Sequence, residues 1–157
     1  MSIRERIAAD LKTAMKSGAA DRLGVLRMVK AKILEAEVNL RGAKGREYEL
    51  GDEEAIQVLA GYAKQRRDSI DAFRQAGRED LAAKEEAELS VVREYLPKQL
   101  SEDDVRRIVS EAISAAGATS PKDLGAVMKL AMPKVKGAAD GKLVSRIAGE
   151  MLGGQTR

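Results

Sequence analysis

The chain of 157 residues contains no cysteine and no histidine. Disulfides, thiol nucleophiles and thiolate metal sites are therefore excluded, and the commonest general base and the commonest zinc ligand are missing together. No catalytic triad built on histidine can form. Tryptophan is absent too, and one phenylalanine with three tyrosines leaves few platforms for stacking the bases of a single strand. Any nucleic-acid contact would have to run through charge and backbone. No apolar run approaches the ~20 residues of a membrane-spanning helix, and Met1-Ser2-Ile3-Arg4-Glu5 has no secretory apolar stretch. A cytoplasmic protein that does not enter membranes is expected. Neither a cofactor nor a metal is expected.

What is present is 44% hydrophobic and 34% charged, a globular composition suited to one domain or two small ones. The organising stretch is LSVVREYLPKQLSEDDVRRIV, residues 89 to 109. Leu89, Val92 and Leu96 recur at helical spacing until Pro97, whose ring and missing donor predict a stop near Tyr95. Ser101 then reads as an N-cap with Asp104 in the capping-box position, and Glu102, Asp103 and Asp104 place carboxylates at the positive end of the new helix. A helix stop and a fresh cap this close together predict a joint between two helical bodies, residues 1 to 97 and 101 to 157.

Along the first body, Ser2 and Glu5 form an S-x-x-E capping box ahead of Ile3, Ile7, Leu11 and Met15, and Gly18 is the expected C′ residue. Asp21 is expected to cap a long second helix whose stripe, Leu23, Leu26, Val29, Ile33, Ala36 and Leu40, ends before Gly42. Residues 41 to 51 lack a stripe and are expected to form a mobile loop with Arg41, Lys44 and Arg46 as a small basic group. A third helix opens at Asp52, Glu53 and Glu54, buries Ile56, Leu59, Ala63, Ile70 and Phe73, and stops at Gly77. A fourth starts at Asp80. No stretch shows the alternation of a half-buried strand, so the fold class is all-α, with an N-terminal bundle of about four helices.

Beyond the joint, Val105, Ile108, Val109, Ala112 and Ile113 predict a fifth helix ending at Gly117. Ser120, Pro121 and Asp123 announce a sixth, with Leu124, Val127, Met128 and Ala131 inward until Pro133 interferes. A seventh follows PKVKGAADGKL, with Leu143, Val144, Ile147 and Met151 on its buried side and Gly153 at its end. This makes a small three-helix C-terminal domain.

Charge is uneven. Residues 1 to 100 carry 19 basic and 18 acidic side chains, residues 101 to 119 carry 2 and 4, and residues 120 to 157 carry 7 and 3. Lys129, Lys134, Lys136, Lys142 and Arg146 fall around two helix ends and the loop joining them, where the first amides of the seventh helix could add donors to an anion. A solvated surface is the plainer reading of such a group. Gly137, Gly141 and Lys142 resemble the end of a P-loop, but only three residues separate the glycines, Leu143 stands where Ser or Thr is needed, and no strand precedes them. Glu85, Glu86 and Glu88 do not converge on one point and read as a solvated face.

KQRRDSIDAFRQAGREDLAAKEEAEL, then YLPKQLSEDDVRRIV, then KDLGAVMKLAMPKVKGAADGKLV together resemble the bacterial YqeY proteins, from about Leu11 to Met151. The last third is also similar to the tail domain of the B subunit of the glutamyl- and aspartyl-tRNA amidotransferase, whose G-x-V-M-K stretch falls here on Gly125, Val127, Met128 and Lys129, followed by Gly137 and the helix from Lys142. In that family the tail is a helical module that approaches transfer RNA, and a YqeY-like domain is also appended to some glutaminyl-tRNA synthetases. The resemblance implies an all-α, two-part protein with tRNA as its ligand and an amidotransferase or aminoacyl-tRNA synthetase as its partner. It turns the basic group read from the charge distribution towards function, so that the expected RNA-binding site is Lys129, Lys134, Lys136, Lys142 and Arg146 with Gly125, Gly137 and Gly141.

Catalysis by this chain is not implied. Glutamine hydrolysis belongs to a separate amidase subunit and transamidation to another domain of the B subunit, so carbon–nitrogen ligase activity would be inherited from the larger enzyme. Two readings stand: a tRNA-binding accessory module beside an amidation or aminoacylation enzyme, or a protein-interaction adaptor or activating subunit of a glutamine-dependent carbon–nitrogen ligase complex. The mixed-charge face of the third helix, with KQRR, would suit the adaptor.

Overall fold

Ser2 and Glu5 form their reciprocal cap in the computed structural model, which describes residues 1–154: the Ser2 hydroxyl accepts from the Glu5 amide at 3.2 Å and the Glu5 carboxylate from the Ser2 amide at 2.7 Å. The helix so started, α1, spans Ile3–Ser17 and closes at Gly18, whose φ of 70° is the left-handed geometry that favours glycine. Helix α2, Ala20–Lys44, differs from expectation at both ends. Asp21 lies in its first turn, while Ala19 holds the cap position without a side-chain bond, because the Gly18 turn leads straight into the helix. At the other end α2 runs through Gly42, overriding a glycine cost of about 1 kcal/mol. Arg41 and Lys44 are therefore helical and not part of a loop.

About two turns inside that end, Glu37 is 1% exposed. Its carboxylate accepts from the Leu50 amide at 3.1 Å and from the Arg4 guanidinium, so it ties α1 and the segment before α3 to α2. Helix α3, Asp52–Gln75, begins at a second such tie. Glu54 accepts from the Tyr48 hydroxyl at 2.5 Å, from the Lys44 ammonium at 3.0 Å and from the Gly51 amide at 3.1 Å. These three donors, Tyr48 first, pull the Glu54 carboxyl down to about 2. A depressed folded value means that its contribution to stability is present above the unfolded carboxylate range and is lost as pH falls towards about 2. Glu54→Gln should therefore lower the melting temperature at pH 7 and leave it unchanged against wild type near pH 2. Equal deficits at both pH values in thermal melts would overturn this account.

Helix α4, Glu79–Arg93, packs on α3 through ion pairs as well as apolar contacts. Arg66 bonds Glu85 at 2.9 Å and lies over the Tyr62 ring, and Arg74 bonds Glu86 at 2.8 Å. Glu85, Glu86 and Glu88 are thus engaged by arginines of α3, Glu88 at 3.9 Å, and are not simply a solvated face. By the same contacts the KQRR segment spends part of its charge inside its own unit. After Arg93 the chain turns through Tyr95, which is 2% exposed, donates its hydroxyl to Asp10 and has the Arg6 guanidinium 5.2 Å from its ring centre. Burial, and then the bond to Asp10, pushes the Tyr95 phenol upward.

The chain divides into two compact units, Met1–Pro97 and Lys98–Arg157. In the first, Leu26, Val29, Leu59, Leu89 and Val92 form the centre of an aliphatic core among α1 to α4. The second holds α5 (Glu102–Ala116), a short 3-10 turn at Pro121–Asp123, α6 (Leu124–Val135) and α7 (Gly141–Gly154). Ser101 and Asp104 cap α5 reciprocally and Gly117 ends it with a φ of 63°, as the sequence predicts. Asp123 accepts from the amides of Thr119 and Ser120, at 2.9 and 3.2 Å. Pro133 does not end α6, which continues to Val135. Val105, Val109, Val127, Ile147 and Leu152 lie in this unit's core, and each is 0% exposed. The described residues contain no strand, so the fold is all-α.

Candidate nucleic-acid interface

The expected basic group maps onto the corner between α6 and α7. Lys129 and Lys134 lie on α6 and Lys136 directly follows it; all three are exposed, and among the described residues none makes an ion pair. Lys129 and Lys136 are two turns apart and share a face, whereas Lys134 points about 140° away from Lys129 around the axis. Lys142 is exposed in the first turn of α7. The corner itself is closed by Gly137, whose φ of 75° is the left-handed conformation a side chain would strain.

The other predicted residues have different surroundings. Arg146 donates to Glu102 at 2.7 Å and to Glu150 at 3.0 Å, and these two carboxylates, Glu150 first, raise its pKa. Its charge joins α7 to the first turn of α5 and is largely spoken for. A side chain at Gly125 would meet nothing within 4 Å, and one at Gly141 would meet only the Met132 methyl at 3.5 Å, so neither glycine is demanded by local crowding. At the start of α7 the Lys142 amide already donates to the Asp140 carboxylate at 3.1 Å. That helix end carries its own anion, which leaves ammonium groups as the main attraction for a phosphate.

Sequence reasoning missed Lys98. The Gln99 side chain donates to the Gly137 carbonyl at 2.9 Å and the Leu100 amide to the Ala138 carbonyl at 2.8 Å, so the segment entering α5 lies against the α6–α7 corner. Lys98, exposed and without an ion pair among the described residues, is brought to the same edge. Nothing in the stretch LPKQL signals this, because its partners lie far along the chain. The resulting edge is polycationic. Among the described residues no group of three metal-ligating side chains could hold a metal ion, and no helix is long and apolar enough to cross a membrane.

Residues 4–152 match the family described as Yqey-like protein. The chain is 30% identical over 151 residues to "Altered inheritance of mitochondria protein 41, mitochondrial" of Pyrenophora tritici-repentis, covering 94% of this chain and 80% of the relative. It is 30% identical over 111 residues to the protein of that name from Saccharomyces cerevisiae, covering 69% of this chain and 57% of the relative. An uncharacterized Schizosaccharomyces pombe protein shares 40% over 50 residues, 32% of this chain and 41% of the relative. With a match that spans nearly its whole described length, the chain belongs to the YqeY-like family.

Proposed function

We propose that this protein is an accessory module that contacts tRNA through the edge formed by Lys98, Lys129, Lys134, Lys136 and Lys142, in the service of an amidation or aminoacylation enzyme, and that it is not itself catalytic. The observation that carries this reading is the set of exposed ammonium groups at this edge, of which Lys98, Lys129, Lys134 and Lys136 make no ion pair among the described residues, close to where the chain has its cationic excess. Lysine supplies point charge without the bidentate base reading of arginine, so binding would be weak, salt-dependent and governed by the shape of folded RNA.

Each phosphate contact contributes roughly 0.7 to 0.9 to the slope of log affinity against log salt. Reversing Lys134 and Lys136 to glutamate should weaken binding of total tRNA and flatten that slope by roughly 1.4 to 1.8. Arg146→Ala should leave the slope unchanged, since its guanidinium is paired with Glu102 and Glu150. Lys12 and Lys16, on α1, provide the control reversal. Equal losses for the two double reversals in anisotropy titrations, or no saltable binding by wild type, would refute the reading.

A further inference from the structure

The hairpin of α1 and α2 leaves a groove that the tRNA reading does not use. Arg4, Ile7 and Ala8 of α1 line it opposite Lys30, Ile33, Leu34 and Glu37 of α2, around a cavity of about 280 Å³. The helices are antiparallel, so the lining continues at helical spacing from Ala8 to Leu11 and Met15 on one side, and from Lys30 to Arg27 on the other. Four large apolar side chains stand in solvent on these two helices, Met15 at 61%, Met28 at 49%, Leu34 at 49% and Val38 at 52% exposure, and of these Leu34 lines the groove itself. Helix α2 therefore has an apolar outer flank in addition to the stripe it buries, which a helix satisfied by its own unit does not need.

The charge bordering the groove that is left without an ion pair has one sign. Lys12, Arg27 and Lys30 are exposed and without ion pairs among the described residues. The carboxylates nearby, Glu37 and Glu49, both face Arg4, and Glu37 is buried. Further out, Glu5 accepts from the Ser2 amide and Glu35 from Lys32. We infer that the α1–α2 groove is a docking site for an amphipathic helix of a partner protein, one whose apolar stripe meets Leu34, Val38 and Met15 and whose flanks are acidic. A groove between two antiparallel helices is completed by a third lying along it, and an all-α unit offers no sheet edge to a strand. From Arg27 to Val38 the α2 side extends about 17 Å, so the docked helix needs about three turns. Acidic flanks opposite Arg27, Lys30 and Lys12 would speed encounter and reject basic helices. This places an adaptor surface on the first unit, distinct from the partly engaged KQRR face of α3.

The test uses the full chain and a fluorescein-labelled helical peptide of about 18 residues with leucine at the spacing of one helical stripe and glutamate on both flanks. Twin peptides carry lysine in place of glutamate, or the same residues scrambled. Anisotropy should show salt-sensitive binding of the glutamate peptide, with the lysine twin and the scrambled peptide weaker by roughly tenfold or more. Leu34→Glu should weaken binding by roughly tenfold or more and Lys30→Glu severalfold. Leu130→Glu, at an exposed position on α6, should leave it unchanged. Equal binding of the scrambled peptide would mean that charge alone is read, and would overturn the inference, as would no binding at all or binding indifferent to Leu34→Glu. Sedimentation of wild type as a dimer that Leu34→Glu dissociates would assign the groove to a second copy instead.

Discussion

Ile147→Ala is expected to unfold the second unit at a temperature where the first stays intact. Ile147 is 0% exposed and packs among Val105, Val109, Val127, Val144 and Leu152. Truncating a buried isoleucine costs about 2 to 5 kcal/mol, counting lost transfer energy and the cavity left behind. A body of this size rarely holds more than about 3 to 5 kcal/mol from a single core, so the substitution removes most of what is available. The core here is aliphatic and rich in valine, with no aromatic residue anywhere from Lys98 to the end of the chain. That composition also supplies the measurement. All three tyrosines, Tyr48, Tyr62 and Tyr95, lie in the first unit, so tyrosine fluorescence reports that unit alone while circular dichroism reports both. The variant should show an early transition by circular dichroism that the fluorescence does not follow. Coincident shifts of both probes would mean that the two units melt as one.

The parts of the fold that were legible in the sequence are those fixed by neighbours. Ser2 with Glu5 and Ser101 with Asp104 satisfy helix-start amides within three residues, and Gly18 and Gly117 provide left-handed ends at once. The errors fall where packing outweighs local preference. Asp21 has the right chemistry for a cap, but the chain leaves the Gly18 turn already helical. Gly42 looked like an ending and is a passage, because α2 continues to Lys44, where Tyr48 and Glu54 engage the ammonium. Pro133 falls in the last turn of α6, where losing one donor does not prevent two more residues from following.

At the candidate site the residue types were legible and their electrostatic company was not. Lysines clustered in the final third could be counted from the sequence. That Arg146 is neutralised depends in part on Glu102, 44 residues away, and that Lys98 shares the edge depends on the Gln99–Gly137 bond across 38 residues. Neither pairing has a periodic signature. The same limit explains the α1–α2 groove. A stripe search finds the buried side of α2 and stops, so Leu34 and Val38 pass as incidental until the structure shows that nothing in the unit covers them.

Glu37 occupies a position that the periodic reading leaves blank, and its removal separates two ideas about the pair it forms. It is 1% exposed, whereas Arg4 is 44% exposed. Arg4→Ala leaves the carboxylate buried with the Leu50 amide as its remaining donor, and stranding one partner of a buried pair costs about 3 to 5 kcal/mol. Glu37→Leu removes the charge altogether and fills much of the same space. The freed Arg4 guanidinium can turn to water, and the remaining cost is the Leu50 amide left without its acceptor, about 1 to 3 kcal/mol. The truncation of the more exposed residue is therefore expected to be the more damaging of the two, with Arg4→Ala lower in unfolding free energy than Glu37→Leu by about 2 kcal/mol. Urea titrations of both variants and of the double variant would decide it. Adding Arg4→Ala to Glu37→Leu should cost little, because no buried carboxylate is then left to strand. If Glu37→Leu proves the worse variant, the carboxylate's hydrogen bond to Leu50 outweighs its pairing with Arg4, and the segment before α3 is held by that amide alone.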